Sequence, residues 1–151
     1  MLNILFKRST VNVAKKTTLP LRTFAVHTKF TKEHEWIKYD DETMEGQFGI
    51  TQHAANELGD IVFVDLPFEG DTFAPGDAIG AVESVKTSAQ IYTPVDVEIL
   101  GNNQEIEATP ELVNQSPMED GWITKIKVTS LDNAKDLLSE EEYQKFLKTL
   151  E

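Results

Sequence analysis

Lys86 is the residue whose surroundings most clearly indicate chemistry. It lies in the segment GAVESVKTSAQIYTP (80–94), and between Tyr39 and Thr124 it is the single base among eighteen acidic residues. A Schiff-base or general-base lysine needs burial or a nearby cation to favour its neutral form, and here the nearest charge is that of Glu83. An isolated lysine at a bend is instead a good handle for a modifying enzyme. A solvated turn lysine that only aids solubility is the alternative.

The other reactive residue types form no recognisable catalytic or metal-binding pattern. The chain has no cysteine, which excludes disulfides, thiolate nucleophiles and cysteine-based metal sites. Its three histidines are His27, His34 and His53, and the HEW segment at His34 lacks a second histidine at the spacing of a zinc-binding helix. No glycine-flanked nucleophile elbow and no glycine-rich phosphate loop is present. We therefore expect no metal site and no catalytic residue.

Charge and hydropathy restrict the partners. The formal net charge is −12, which disfavours nucleic acid, because phosphate contacts need basic patches. No apolar run approaches the roughly 18 residues of a membrane-spanning helix, so we expect no membrane partner.

The amino-terminal segment has a composition of its own. Residues 1–32 contain seven Lys or Arg and no Asp or Glu, and they are rich in Ser and Thr. This composition is typical of a mitochondrial transit peptide. We predict a transit peptide over residues 1–26, with cleavage between Arg22 and His27, and a single domain over residues 27–151 in the mitochondrial matrix. A basic arm retained on the mature protein is the alternative.

Short strands dominate the periodicity of the rest. The segment QHAANEL reads as a short helix that Thr51 caps and Gly59 ends. The two strand-like runs around Lys86 predict a hairpin with the lysine at its bend. Period-2 alternation in GWITKIKV predicts a strand with Trp122 facing the same way as Thr124, Ile126 and Val128. The predicted strands are 34–40, 46–51, 60–67 (buried on both faces), 78–85, 89–100 and 121–128.

The carboxyl-terminal residues change to a helical period. Two helices are predicted, over 130–139 and 139–150. Ser139 with Glu142 forms the sequence signature of a capping box at the start of the second helix. The apolar stripe of that helix would dock on the body of the domain, and its members are Tyr143, Phe146, Leu147 and Leu150. The preceding polar stretch, 102–121, is expected to be turn-rich, with Leu112 and Val113 as its apolar anchor. The fold class is therefore mainly β, with a short early helix and helices at the carboxyl terminus.

Five segments, in the same order, resemble the glycine cleavage system H protein family. They are KFTKEHEWI, GITQHAANELGDIVFVDLP, GAVESVKTSAQIYTPV, ATPELVNQSPMEDGWITKIK and EEYQKFL, and together they cover about residues 28–148. The resemblance implies the barrel-sandwich hybrid fold of lipoyl and biotinyl domains. It also implies that Lys86 carries lipoic acid through an amide bond, with Glu83, Ser84 and Val85 as the context of the attachment hairpin.

The function that this resemblance implies is that of a carrier and not of an enzyme. A pyridoxal-phosphate glycine decarboxylase would load an aminomethyl group onto the lipoyl arm. A tetrahydrofolate-dependent aminomethyltransferase would remove it, and a flavin-dependent dihydrolipoyl dehydrogenase would reoxidise the dithiol. Lipoylating enzymes are further implied partners. The protein itself would supply a tether and shelter from water.

The loaded arm ends in a cationic amine, which a carboxylate in a cleft would hold. Glu35 matches the family's glutamate in that role, with Glu33 and His34 beside it. From the residues alone, Glu35 would be an exposed strand residue.

The chain departs from the family at three places. Glu33 stands where a small residue is usual, Gln90 where Asp is usual, and Asp96–Val97 where Ser-Gly is usual. A β-branched residue at 97 resists the turn or bulge that glycine would permit.

Two other functions stay open at this point. A biotin carrier would usually have Met on both sides of its lysine, where this chain has Val85 and Thr87. An H-like protein that mainly holds lipoyl groups, or relays them to other complexes, would share every motif with the shuttle. The three departures are the sequence features that favour this relay.

Overall fold

The computed structural model describes residues 25–151, which form two antiparallel β-sheets with four helices around them. The predicted transit peptide therefore lies almost entirely outside the described residues. The strands are β1 Val26–Phe30, β2 Glu35–Asp40, β3 Glu45–Ile50, β4 Ile61–Asp65, β5 Thr72–Phe73, β6 Ala78–Ser84, β7 Ser88–Tyr92, β8 Asp96–Asn102 and β9 Thr124–Ser130. The mainly β fold class is confirmed.

The larger sheet has six strands in the order β1-β2-β3-β9-β8-β5. Its β9 strand alternates as its sequence predicts, with Thr124, Ile126 and Val128 buried and the two lysines between them exposed. The same alternation would place Ile123 on the face of the two exposed lysines. Ile123 is instead fully buried, because it lies before the strand begins. Strand β1, VHTKF, was not predicted, because its residues were grouped with the basic amino-terminal segment.

The smaller sheet has three strands in the order β4-β6-β7. Its strand β4 was expected to be buried on both faces, and that prediction is wrong. Val62 and Phe63 are 53% and 52% exposed, whereas Ile61 and Val64 are buried. The reason is that the core lies on one face of this sheet, and the irregular register between Ile61 and Phe63 leaves both Val62 and Phe63 outside it. A run of apolar residues therefore does not establish burial on both faces.

The helices are α1 Gln52–Leu58, α2 Gln104–Ala108, α3 Leu112–Gln115 and α4 Glu140–Lys148. Helix α1 has its predicted bounds: the Thr51 side chain accepts a hydrogen bond from the Ala54 amide, and Gly59 follows the helix with φ of 80°. The capping box of Ser139 and Glu142 at α4 is also confirmed. None of the helices within residues 25–151 is long and apolar enough to span a membrane.

Within residues 25–151 one predicted helix is absent, and two helices formed where turns were predicted. Residues 130–139 form turns and a bridge to β1 instead of a helix. The stretch 102–121 contains the two short helices α2 and α3, which its polar composition did not indicate. Ile106 and Val113 are the residues that these helices bury in the core.

The main core lies between the two sheets and contains Ile37, Phe48 and Val82, all fully buried. A second cluster holds α4 against β1 and β2, and Tyr143 stacks there on Phe30 with ring centroids 4.7 Å apart. The stripe prediction holds for Tyr143, which is buried, and for Phe146 and Leu147, which pack against this cluster. Leu150 lies beyond the helix and is half exposed.

Candidate functional site

Lys86 lies at the tip of the hairpin that β6 and β7 form. The tip closes through Ser84: its amide donates to the Thr87 carbonyl at 2.8 Å, and its hydroxyl accepts from the amides of Lys86 and Thr87 at 3.2 and 3.1 Å. The Val85 amide donates to the Asp60 carbonyl at 3.0 Å, which ties the tip to the chain before β4. Both Lys86 and Val85 are exposed. The predicted hairpin is confirmed, and the turn presents the amine to solvent.

The amine of Lys86 contacts the end of helix α1. Its Nζ atom donates to the carbonyl oxygen of Glu57 at 3.3 Å. Carbonyl groups in the last turn of a helix lack partners inside the helix, and a cation is a favourable partner for them. Gly59 makes room for this contact, since a Cβ atom there would lie 2.9 Å from Lys86 Cε.

Glu35 is the first residue of β2, and its side chain is buried, with 4% exposure. The Thr31 hydroxyl donates a hydrogen bond to Oε2, and the Tyr92 amide donates one to Oε1 at 3.0 Å. Burial raises the pKa of the Glu35 carboxyl, and these two hydrogen bonds oppose that rise. An exposed strand position, the interpretation without the resemblance, is therefore excluded.

A cleft of about 310 Å³ opens beside Glu35. It is formed by the turn before β2, the end of β7 and the loop after β9. Glu33 and Glu35 both line it, whereas His34 does not. The other lining residues are Thr31, Gly76, Tyr92, Thr93, Pro94, Lys135 and Asp136.

His34 lies on the opposite side of the turn, with a backbone φ of 71°. Its Nδ1 atom is 2.8 Å from the hydroxyl of Tyr143, and its ring centroid is 4.2 Å from that of His53. Burial lowers the pKa of His34, and the neighbouring His53 lowers it further. The structure thus separates His34 from Glu33 and Glu35 and pairs it with a second histidine, which the spacing of the sequence did not predict.

The outward face of β7 connects the hairpin tip to the cleft. Ser88, Gln90 and Tyr92 are exposed on this face, while Ile91 between them is buried. The Tyr92 hydroxyl donates to Oε1 of Gln90 at 3.0 Å. Gln90, where the family usually has Asp, thus orients the tyrosine ring at the edge of the cleft.

Val97 occupies the core and also follows a β-bulge. It is 1% exposed, and the register between β8 and β9 shifts between Asp96 and Val97. The expectation that a β-branched residue resists a bulge here was wrong, because the bulge forms without a positive φ at Val97. Oδ2 of Asp96 is buried there without a hydrogen-bond partner among residues 25–151.

Sequence reasoning missed three parts of this site. The backbone amide of Tyr92 donates a hydrogen bond to Glu35. A contact made by the backbone cannot be predicted from the type of the residue. Lys135 and Asp136 lie in the segment that was wrongly predicted as a helix, and Asp136 has φ of 45°. Such a φ is compatible with the Asp-containing turn that the structure shows and not with a helix.

The chain is similar to known proteins over most of its length. The sequence profile described as "Glycine cleavage H-protein" matches residues 28–150. The chain belongs to the glycine cleavage H-protein family. It is therefore a carrier subunit of the glycine cleavage system and not an enzyme, and the lipoyl-relay alternative is not favoured.

The relatives support this membership over most of the chain. A protein of Schizosaccharomyces pombe, provisionally named as a mitochondrial glycine cleavage system H protein, is 49% identical over 79% of this chain and 69% of its own length. The glycine cleavage system H protein of Halothermothrix orenii is 46% identical over 81% of this chain and 94% of its own.

A solved structure supports the fold as well. The crystal structure of a glycine cleavage system H protein from Mycobacterium marinum has a TM-score of 0.73 and 30% identity. It covers 80% of this chain and 96% of its own. The barrel-sandwich architecture expected from the resemblance is thereby confirmed.

Proposed function

We propose that this protein carries lipoic acid on the Nζ atom of Lys86 and shuttles the aminomethyl group of glycine between the enzymes of the glycine cleavage system. The observation that carries the proposal is the position of Lys86 at the exposed hairpin tip of a chain in this family. Among residues 80–94 it is the single lysine, so a lipoylating enzyme that reads this hairpin has one amine to modify.

The residues present fit a lipoyl arm. The tip is exposed, and a cleft with a buried carboxylate lies at the far end of β7. When bound, lipoic acid supplies the sulfur that accepts and releases the aminomethyl group.

The chain's own contribution is shelter and charge. The side of Glu35 that faces the cleft would accept the cationic amine of the cargo, since an opposite charge favours the ionised carboxylate that burial disfavours. Thr31 and Tyr92 hold that carboxylate in place. The walls of the cleft would exclude the water that hydrolyses the cargo.

We further propose the specific partners and the compartment. The partners are a pyridoxal-phosphate glycine decarboxylase, a tetrahydrofolate-dependent aminomethyltransferase, a flavin-dependent dihydrolipoyl dehydrogenase and the lipoylating enzymes. The compartment is the mitochondrial matrix, which the basic composition of residues 1–32 and the mitochondrial type of the S. pombe relative support.

We propose a narrower position for the cleavage site, which the pairing of β1 supports. The Ala25 carbonyl accepts a hydrogen bond from the Asp41 amide at 3.1 Å, and Val26 pairs with Asp40. Cleavage upstream of Ala25 would keep β1 intact, so we place it between Arg22 and Ala25. Amino-terminal sequencing of the mature protein tests this position.

Glycine–bicarbonate exchange tests the shuttle. Lipoylated protein mixed with a glycine decarboxylase should support exchange, and the Lys86→Arg variant, which keeps the charge but cannot be acylated at this position, should not. Absence of exchange with fully lipoylated wild-type protein would contradict the shuttle and favour the lipoyl relay.

A further inference from the structure

A second cluster of reactive side chains lies outside the cleft. His34, from the turn before β2, meets His53 and Glu57 of helix α1, and one ligand-type atom of each lies within 4.8 Å of the others. This trio has no part in the lipoyl proposal. Two imidazoles and one carboxylate are a donor set that zinc prefers.

Helix geometry supplies two of the three donors. His53 and Glu57 are four residues apart and therefore lie on one face of α1. Nε2 of His53 is 3.3 Å from Oε1 of Glu57. Bonds of about 2.1 Å in tetrahedral geometry place neighbouring donor atoms about 3.4 Å apart, so this pair already has the spacing that an ion requires.

The third donor is held by a hydrogen-bond chain. The Nδ1 atom of His34 contacts the Tyr143 hydroxyl at 2.8 Å, and that hydroxyl contacts the Thr51 hydroxyl at 2.8 Å. Metal-binding histidines usually donate their second ring nitrogen to a hydrogen-bond acceptor, which fixes the tautomer and the ring orientation, and a tyrosine hydroxyl can accept such a bond. With Nδ1 engaged, Nε2 is the nitrogen of His34 that remains for an ion.

Access completes the site. The side chains of His53 and Glu57 are 31% and 66% exposed, so an ion can enter and they can rotate to close the remaining gap to His34. A fourth position is left for water, as in sites with three protein ligands.

We propose that His34, His53 and Glu57 form a binding site for a divalent transition-metal ion of the zinc class. The ion would tie helix α1, whose last turn also receives the Lys86 amine, to the turn before β2. The inference goes beyond the carrier function and does not depend on lipoylation. The expectation of no metal site rested on spacing along the chain, and His34 and His53 meet only in the fold.

Zinc titration of the untagged full chain tests the site. The chain has no cysteine and only three histidines, so few other side chains compete for zinc. The Lys86→Arg variant is a useful second protein, because it cannot carry a lipoyl dithiol that would itself bind zinc. Calorimetry with zinc chloride alone should show one ion per chain in unlipoylated wild-type protein and in Lys86→Arg, and cobalt(II) should give the visible spectrum of a tetrahedral site.

Variants decide whether the ion is bound at this cluster. His53→Ala and Glu57→Gln should each weaken zinc binding about tenfold or more, and Tyr143→Phe should weaken it about tenfold, the usual cost of losing an outer hydrogen bond. His27→Ala is the matched control, because His27 also pairs with a carboxylate, that of Asp41 at 3.3 Å, and it should change nothing. Absence of zinc binding at millimolar concentration, or binding that survives both His53→Ala and Glu57→Gln unchanged, would overturn the proposal.

Discussion

The amide of Tyr92 donates a 3.0 Å hydrogen bond to Oε1 of Glu35. Glu35 begins β2 in the six-stranded sheet, and Tyr92 ends β7 in the three-stranded sheet. The contact therefore joins the two sheets at the cleft. It also makes the placement of the buried carboxylate depend on the strand that begins just after Lys86.

The first prediction concerns Glu35. We expect Glu35→Ala to leave lipoylation of Lys86 intact and to shorten the lifetime of the aminomethyl-loaded protein, measured as first-order loss of the cargo. The change also leaves the Tyr92 amide without its hydrogen-bond acceptor, which should lower the free energy of unfolding by about 1–3 kcal/mol. Glu33→Ala is the control, because Glu33 lines the same cleft but is exposed. An unchanged cargo lifetime in Glu35→Ala would remove Glu35 from the mechanism.

The second prediction concerns Gly59, which packs against Lys86. A Cβ atom there would lie 2.9 Å from Lys86 Cε, and the backbone has φ of 80° and ψ of −154°, a region nearly restricted to glycine. We expect Gly59→Ala to destabilise the fold by about 1–3 kcal/mol in urea titrations. It should also release the Lys86 amine from Glu57 and raise the initial rate of lipoylation by less than about tenfold, since such a hydrogen bond is worth about 0.5–1.5 kcal/mol.

Gly70→Ala is the matched control for this prediction. Gly70 has φ of 89° and no atom within 4 Å of an added Cβ. It should lose stability through its backbone alone and should be lipoylated at the wild-type rate. Equal lipoylation rates for all three proteins would show that the contact between Gly59 and Lys86 has no influence on modification.

Local signals allowed much of this fold to be predicted from the sequence. Helix α1 and the start of α4 were predicted because their caps are residues next to the helix itself, Thr51 and Ser139. The hairpin at Lys86 was predicted because two β-type runs flank a short polar turn. Each of these features depends on residues a few positions apart.

The features that were missed depend on residues far apart in the chain. Phe63 is exposed because its sheet has the core on one face only, which the packing of the two sheets decides and residue types do not. His34 meets His53 because β2 pairs with β3, which places the turn before β2 beside the start of α1. The role of Glu35 was inferred from the family resemblance, whereas its burial could be seen only in the structure.

The third prediction concerns Val97, where the family usually has glycine. Replacing this buried side chain should cost about 2–4 kcal/mol of unfolding free energy, because Val97→Gly loses apolar burial and adds backbone entropy to the unfolded chain. Val62→Gly is the control, since Val62 is a strand valine that is 53% exposed, and it should cost only about 0.5–1 kcal/mol. Chemical denaturation measures both. If the two variants lost equal stability, Val97 would not be a core residue in solution.

The fourth prediction concerns pH and the capping box of α4. The Ser139 amide donates to the Glu142 carboxylate at 2.8 Å and lowers the pKa of that carboxyl from its ordinary value of 4.5. A lowered pKa means that the stabilisation is present above pH 4.5 and is lost as the pH falls through the folded-state pKa. We therefore expect Glu142→Gln to lose stability at neutral pH, with a deficit that shrinks as the solution is acidified.

Glu140→Gln serves as the comparison, because Glu140 lies in the same first turn of α4 but does not complete the capping box. Thermal unfolding followed from pH 7 to pH 3 gives the difference between the two variants. A deficit in Glu142→Gln that stays constant over this range would contradict a role for its ionised form.

Mass spectrometry of the mature protein from its native compartment tests the central claim most directly. The account predicts one lipoyl adduct on the intact protein, mapped by peptide fragmentation to Lys86, and none on the Lys86→Arg variant expressed in the same cells. An unmodified Lys86 in cells supplied with lipoate, or a lipoyl group mapped to another lysine, would contradict it.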